Sequence, residues 1–128
     1  MPNVAMLHEK DPKQEILDKL GNVLDDYEIL NNEVLVATYL RPEKTASGFY
    51  LPKKTLEEDL FQSKCGLVLK IGPSCDFPTV KIQVHDWVVL RPADAWACEI
   101  LTGKDPVHCR LLYDKHIRAR ITNPGLVW

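Results

Sequence analysis

The sequence predicts an all-β fold, a small barrel or sandwich entered through a short helical arm. Three observations predict it. From Asn31 onward the apolar residues recur with period two in "NEVLVATYL", "GLVLKIG", "VKIQVH" and "IRARI", the spacing of half-buried strands. Glycine, proline and aspartate punctuate these runs closely, as "IGPS", "RPAD", "TGKDP" and "TNPG", which mark turns. Residues 1 to about 30 obey neither rule and carry a helical spacing instead.

In the arm, Asp11 is a good helix N-cap, Pro12 suits the first helical position, and Gln14 stands where a capping-box partner would. Ile16, Leu17 and Leu20 fall on one helical face, continued by Val23 and Leu24, and Gly21 ends or weakens the helix. The arm is too short to bury that stripe alone, so it must dock on its own body or on a neighbour. The body, residues 31–121, follows. "NEVLVATYL" is rich in branched and aromatic residues. "GLVLKIG" alternates Leu67, Leu69 and Ile71 with Val68 and Lys70. In "VKIQVH" the spacing predicts a strand with Val80, Ile82 and Val84 on one face. "DWVVLRP" is a short buried strand closed by a turn, and "IRARI" sets Ile117, Ala119 and Ile121 against a wet Arg118 and Arg120. The predicted core includes Val34, Val36, Leu67, Leu69, Val88 and Leu90. Residues 122–128 form a short C-terminal extension.

Composition bounds the function. A chain of 128 residues, 45% hydrophobic, fits one domain with a real core. A formal net charge of −2 gives no electrostatic footprint for nucleic acid. Apolar runs such as "GLVL" and "WVVL" are far too short to span a bilayer. The opening "MPNVAMLHEKD" lacks the basic start and apolar middle of a signal peptide, so the protein is expected to be made in a cytoplasm. Cys65, Cys75, Cys98 and Cys109 are then expected as reduced thiols packed as small hydrophobes.

Catalysis finds no support in the pattern. No phosphate-cradling glycine loop, nucleophile elbow or metal-ligand spacing occurs, and no cofactor is expected. His108 and Cys109 are adjacent in "VHC", but neighbouring strand residues point to opposite faces and do not readily share a metal. His85 before Asp86 reads as a surface turn, and the acidic "LEEDL" (Leu56 to Leu60) as the solvated face of a loop. The unusual stretch is "EKTASGFYLPKK". It mounts Phe49, Tyr50 and Leu51 between the small residues Thr45, Ala46, Ser47 and Gly48 and a proline stop at Pro52. Those three side chains serve either as part of a packed strand or as a displayed anchor.

From about Glu33 to Ile121 the chain resembles the co-chaperonin GroES family. "EVLVATYLRPEKTASGFYLP" is similar to that family's opening strand, loop and apolar tripeptide. "CGLVLKIGP" is similar to its strand and glycine turn. "VHDWVVL" matches its "V-G-D-x-V" strand, with His85 in place of the glycine and Asp86 on the aspartate. "YDKHIRARI" resembles the closing strand, with His116 in place of a familiar aspartate. "RPEKT" and "PGLVW" look most like the GroES-like proteins of tailed phages and prophages. The resemblance implies a small GroES-like β-barrel, self-association, and a loop that enters a chaperonin groove. Phe49, Tyr50 and Leu51 would then be the plug and Gly48 the hinge. Departures are the thirty-residue arm, a "PSCDFPTVKIQVH" stretch too short to roof a ring, and the "TNPGLVW" extension.

Two functions are compatible with this, neither enzymatic. The first is a phage structural protein that decorates or cements a capsid shell. It would clasp the major capsid protein through Ile16, Leu17 and Leu20 of the arm, through Leu126, Val127 and Trp128, and through the Phe49–Leu51 loop. Such a protein would reside in the virion. The second is a cytoplasmic co-chaperonin that caps a chaperonin through the loop to assist capsid-protein folding. A dehydrogenase with a GroES-like domain is disfavoured, because the chain has no room for a nucleotide-binding domain. Neither function calls for nucleic acid or membrane.

Overall fold

The computed structural model describes residues 10–42, 53–103 and 105–128. Six strands, β1 (Glu33–Thr38), β2 (Cys65–Ile71), β3 (Trp87–Leu90), β4 (Trp96–Ile100), β5 (Val107–Tyr113) and β6 (Ile117–Ile121), form one antiparallel sheet in the order β4-β5-β1-β2-β3-β6. Two helices accompany them, α1 (Pro12–Leu20) and α2 (Lys53–Gln62). This is a small GroES-like β fold, the class the sequence predicts.

The sheet is built around β1. It pairs with β2 on one side, with Ala37 opposite Leu67, and with β5 on the other, with Val34 opposite Leu112. A bulge between Leu35 and Val36 shifts the β1–β2 register. Side chains of β1 alternate between two cores. Leu35, Ala37 and Tyr39 join Cys65, Leu67, Leu69, Trp87, Ile100 and Cys109 in one. Val34 and Val36 join Val68, Val88, Leu90 and Leu112 in the other. All six residues expected in the core are buried.

The arm covers the first of these faces. Asp11 caps α1, accepting from the Lys13 amide at 3.2 Å, and Gly21 (φ 55°) ends it. Gln14 departs from the capping-box expectation and donates to Asp18 at 2.8 Å instead. Leu20 is buried in the Leu35 cluster, with Ile16, Leu17, Val23 and Leu24 packed against it. Leu20, fully buried, contributes about 1.5–3 kcal/mol, while Ile16, Leu17, Val23 and Leu24 are half-buried against the chain's own sheet. The Lys70 ammonium donates to the Tyr27 carbonyl at 2.6 Å and ties the arm's exit to β2.

Residues 72–86 close the second face. Phe77 and Ile82 pack there, with Cys75, Ala95 and Ile117. The Asp114 carboxylate holds this segment. It accepts from the Asp76 amide at 2.8 Å and from Asn32 at 3.2 Å, and those hydrogen bonds lower its pKa, the Asp76 amide most strongly. The strand expected over Val80, Ile82 and Val84 does not form. Only Ile82 turns inward, while Val80 and Val84 are exposed. The Gln83 amide is taken by the Asp86 carboxylate at 2.8 Å, a local side-chain bond that competes with ladder pairing. The "LEEDL" loop is a second correction, since these residues lie in α2 and Asp59 is buried. The sequence pattern also missed β4, and in β5 it singled out only His108 and Cys109.

All four cysteines are free. Burial pushes the Cys65 thiol up to about 11 and the Cys109 thiol up to about 12, so neither is a nucleophile at neutral pH.

Two backbone positions yield opposite expectations. A side chain at Gly72 would meet the carbonyl oxygens of Asn31, Leu30 and Glu33, so Gly72→Ala should cost about 1–3 kcal/mol, the range for overpacking. His85 occupies the left-handed region (φ 75°) where the resemblance places a glycine. His85→Gly relieves that strain but adds unfolded-chain entropy, for a net gain on the order of 0.5 kcal/mol. Urea unfolding midpoints of the two variants check both signs.

Candidate functional site

Between β1 and β2 the chain leaves the sheet on a long excursion. The Tyr39 amide donates to the Cys65 carbonyl at 3.0 Å, the last rung at its base. The incoming stem is Tyr39, Leu40 and Arg41, and the return is α2 followed by Ser63 and Lys64. Gly48, Phe49, Tyr50 and Leu51 lie in this excursion, outside the described residues.

The stems are joined by charge. Arg41 donates through both Nε (2.9 Å) and Nη2 (2.7 Å) to the two carboxylate oxygens of Asp59. The Asp59 side chain is 2% exposed and that of Arg41 16%. A planar guanidinium fork matches a carboxylate in this bidentate way, whereas lysine cannot. Removing one partner of so buried a pair costs far more than the pair itself contributes, because the survivor keeps a desolvated charge.

A second arginine fixes the end of α2. Arg110, 3% exposed on β5, donates to the carbonyls of Ser63 and Leu60. Those oxygens belong to a helix end that lacks intrahelical partners, and a cation there also meets the negative end of the helix dipole. Burial pulls the Arg110 pKa down, yet a guanidinium retains its charge in proteins. Beside it His108 shares a 2.7 Å hydrogen bond with Thr38 and meets Phe61 edge-on at 5.9 Å. A row of polar groups, Thr38, His108 and Arg110, thus continues the face where Val34 and Val36 lie, and the carbonyls of Leu60 and Ser63 meet Arg110 there.

The other expected contact residues are placed as follows. Ile16, Leu17 and Leu20 lie against the chain's own sheet. Pro124–Leu126 form a 3-10 turn with Pro124 and Gly125 buried. Leu126 is exposed, Val127 packs on the Leu35 cluster, and the Arg41 guanidinium lies 3.9 Å from the Trp128 ring centroid. Arg41, Asp59, Arg110 and His108 were not identified from the sequence as a site. No local signal marks them in the sequence: Arg41 and Asp59 are eighteen residues apart, and Arg110 is held by backbone carbonyls, which every residue has. Among the described residues no cluster of His, Cys, Asp or Glu could hold a metal ion, and no helix is long and apolar enough to cross a membrane.

Residues 26–119 match the family model described as the chaperonin 10 kDa subunit. That stretch covers most of the chain, including all of the excursion, so the protein belongs to the chaperonin 10 kDa subunit family. The family is one of non-enzymatic co-chaperonins that work with chaperonin partners and form oligomers. No curated protein matches the chain.

The buried histidine makes the polar row sensitive to pH. Burial first, and the Arg110 charge second, push the His108 imidazole below its usual value, against a smaller upward pull from Glu99. A histidine with a depressed folded pKa takes up its proton more readily when unfolded. Its contribution is therefore fully present above the unfolded value, about 6.5, and is lost as pH falls through and below it. Wild type should lose stability between pH 7.5 and 5, and His108→Gln should lose measurably less. Urea midpoints at the two pH values check this, and equal losses would remove His108 from the account.

Proposed function

We propose that this protein is a cytoplasmic co-chaperonin. It engages a chaperonin through Phe49, Tyr50 and Leu51, with Gly48 as the adjoining hinge, and works as an assembly of several copies. Membership in the chaperonin 10 kDa family carries the reading. The anchored stems support it, since Arg41–Asp59 and Arg110 fix both ends of the excursion that bears the apolar tripeptide. An assembly presents several such tripeptides at once, so weak individual contacts add up through effective concentration while each remains reversible.

Decoration of a phage capsid was the first of the two functions compatible with the sequence; it drew on the phage-like "RPEKT" and "PGLVW" and on terminal arms that could clasp a neighbour. In the structure Ile16, Leu17, Leu20 and Val127 are occupied by the chain's own core. The division into arm (1–30), barrel (31–121) and extension (122–128) stays part of the proposal, supported by the described part of the arm and the extension packing on the barrel.

The test is binding of wild type to a nucleotide-loaded chaperonin and, separately, to capsid particles. Wild type is expected to bind the chaperonin and ignore the particles. Replacing Phe49, Tyr50 and Leu51 by serine should weaken chaperonin binding by roughly a hundredfold or more, given the apolar burial lost, with the fold intact by circular dichroism. Wild type that binds particles and ignores the chaperonin would overturn the proposal.

A further inference from the structure

Trp128 lies on the guanidinium that closes the excursion, and the segment that carries it is itself held down. The Arg41 carbon at the centre of the guanidinium sits 3.9 Å from the Trp128 ring centroid, while the same guanidinium forks onto the buried Asp59. Upstream of Trp128, Asn123 Oδ1 accepts from the Gly125 amide at 2.9 Å, Pro124 and Gly125 are buried, and Val127 packs on the Leu35 cluster. Residues 122–128 therefore form a strap running from the end of β6 to the base of the excursion.

We infer that this strap is a latch on α2, with Trp128 acting as a positioning residue. An arginine side chain has many rotamers, and only a narrow set of them presents the fork to Asp59. An indole face beneath the guanidinium plane selects that set by cation–π and stacking attraction. Releasing Arg41 would strip the buried Asp59 carboxylate of its forked cation, so whatever steadies Arg41 steadies the tie between α2 and the stem that follows β1. Arg110 holds the same C-terminal end of α2 by a separate tie, through the carbonyls of Leu60 and Ser63 next to Asp59. Loss of the latch therefore loosens the helix without unfolding the sheet. The inference adds to the co-chaperonin reading a means of setting how firmly the contact segment is presented, and rests on that reading only for its effect on chaperonin binding.

The experiment is amide hydrogen exchange of the full chain, compared across Trp128→Ala, Trp128→Phe, Arg41→Lys and the Ala/Lys double variant. Trp128→Ala should speed exchange in residues 53–62 by about two- to fivefold, the scale of an exposed cation–π contact, and leave β2 and β3 unchanged. Trp128→Phe should restore most of the protection, because it keeps an aromatic face. Arg41→Lys keeps the charge but loses the fork. It should speed exchange more, and adding Trp128→Ala to it should change little, since the ring then has no planar fork to hold. Unchanged exchange in α2, or exchange accelerated equally over the whole sheet, would overturn the latch. Chaperonin affinity of the same variants forms a separate arm, in which Trp128→Ala should alter binding by a similar factor. If wild type binds no chaperonin, the functional proposal fails while exchange still decides the latch. If wild type binds and the exchange pattern is absent, the latch alone fails.

Discussion

Every part of this molecule answers to one constraint, a central strand that is buried on both faces. Strand β1 puts Val34 and Val36 into one core and Leu35 and Ala37 into the other, each 0–2% exposed. A six-stranded sheet covers neither face by itself, and both must exclude water. On one side α1 and Val127 supply the cover; on the other Phe77 and Ile82 do. What looks in sequence like spare arms is the second layer that a two-sided strand requires.

The same strand sets where apolar packing stops. Past Val36 its face carries Thr38, and the matching positions of β5 carry Arg110 and His108. Buried polar groups of this kind must be satisfied or they destabilise the fold. Here the partners come from the returning excursion: the carboxylate of Asp59 for Arg41 and the carbonyls of Leu60 and Ser63 for Arg110. A loop tied only by apolar contact could slide. One tied by forked charge pairs has a defined base. In the co-chaperonin reading proposed above, such a base would confine the ordering cost of binding to the residues that make the contact.

Much of the fold could be read from the sequence because period-two patterning survives wherever a strand has a clear inside. β1, β2 and β6 appear on that basis, and β3 appears as a short apolar run closed by a turn; together they hold all six named core residues. Strand β4 was missed because it is an edge: Trp96, Ala97 and Glu99 are exposed and Cys98 half-buried, so its pattern has little contrast. Residues 80–84 were misread for the converse reason. Their alternation reports the inward Ile82 correctly, yet among the described residues no strand pairs with them, and Asp86 takes the Gln83 amide instead. The site was the least legible part. Asp59 looks like any surface acid until a partner from an element eighteen residues away removes it from water. Such charge pairing over distance leaves no local signature. The tripeptide Phe49–Leu51 was singled out through its setting between small residues and a proline, and through family resemblance.

The central claim is that the arms belong to this chain's own fold and that the partner is met through the excursion. Hydrogen exchange of wild type, alone and with a nucleotide-loaded chaperonin, tests it most directly. The account predicts that residues 12–26 and 122–128 are equally protected in both states, and that new protection on binding is concentrated in residues 43–52. New protection across the arm and the 122–128 strap, with residues 43–52 unchanged, would contradict it.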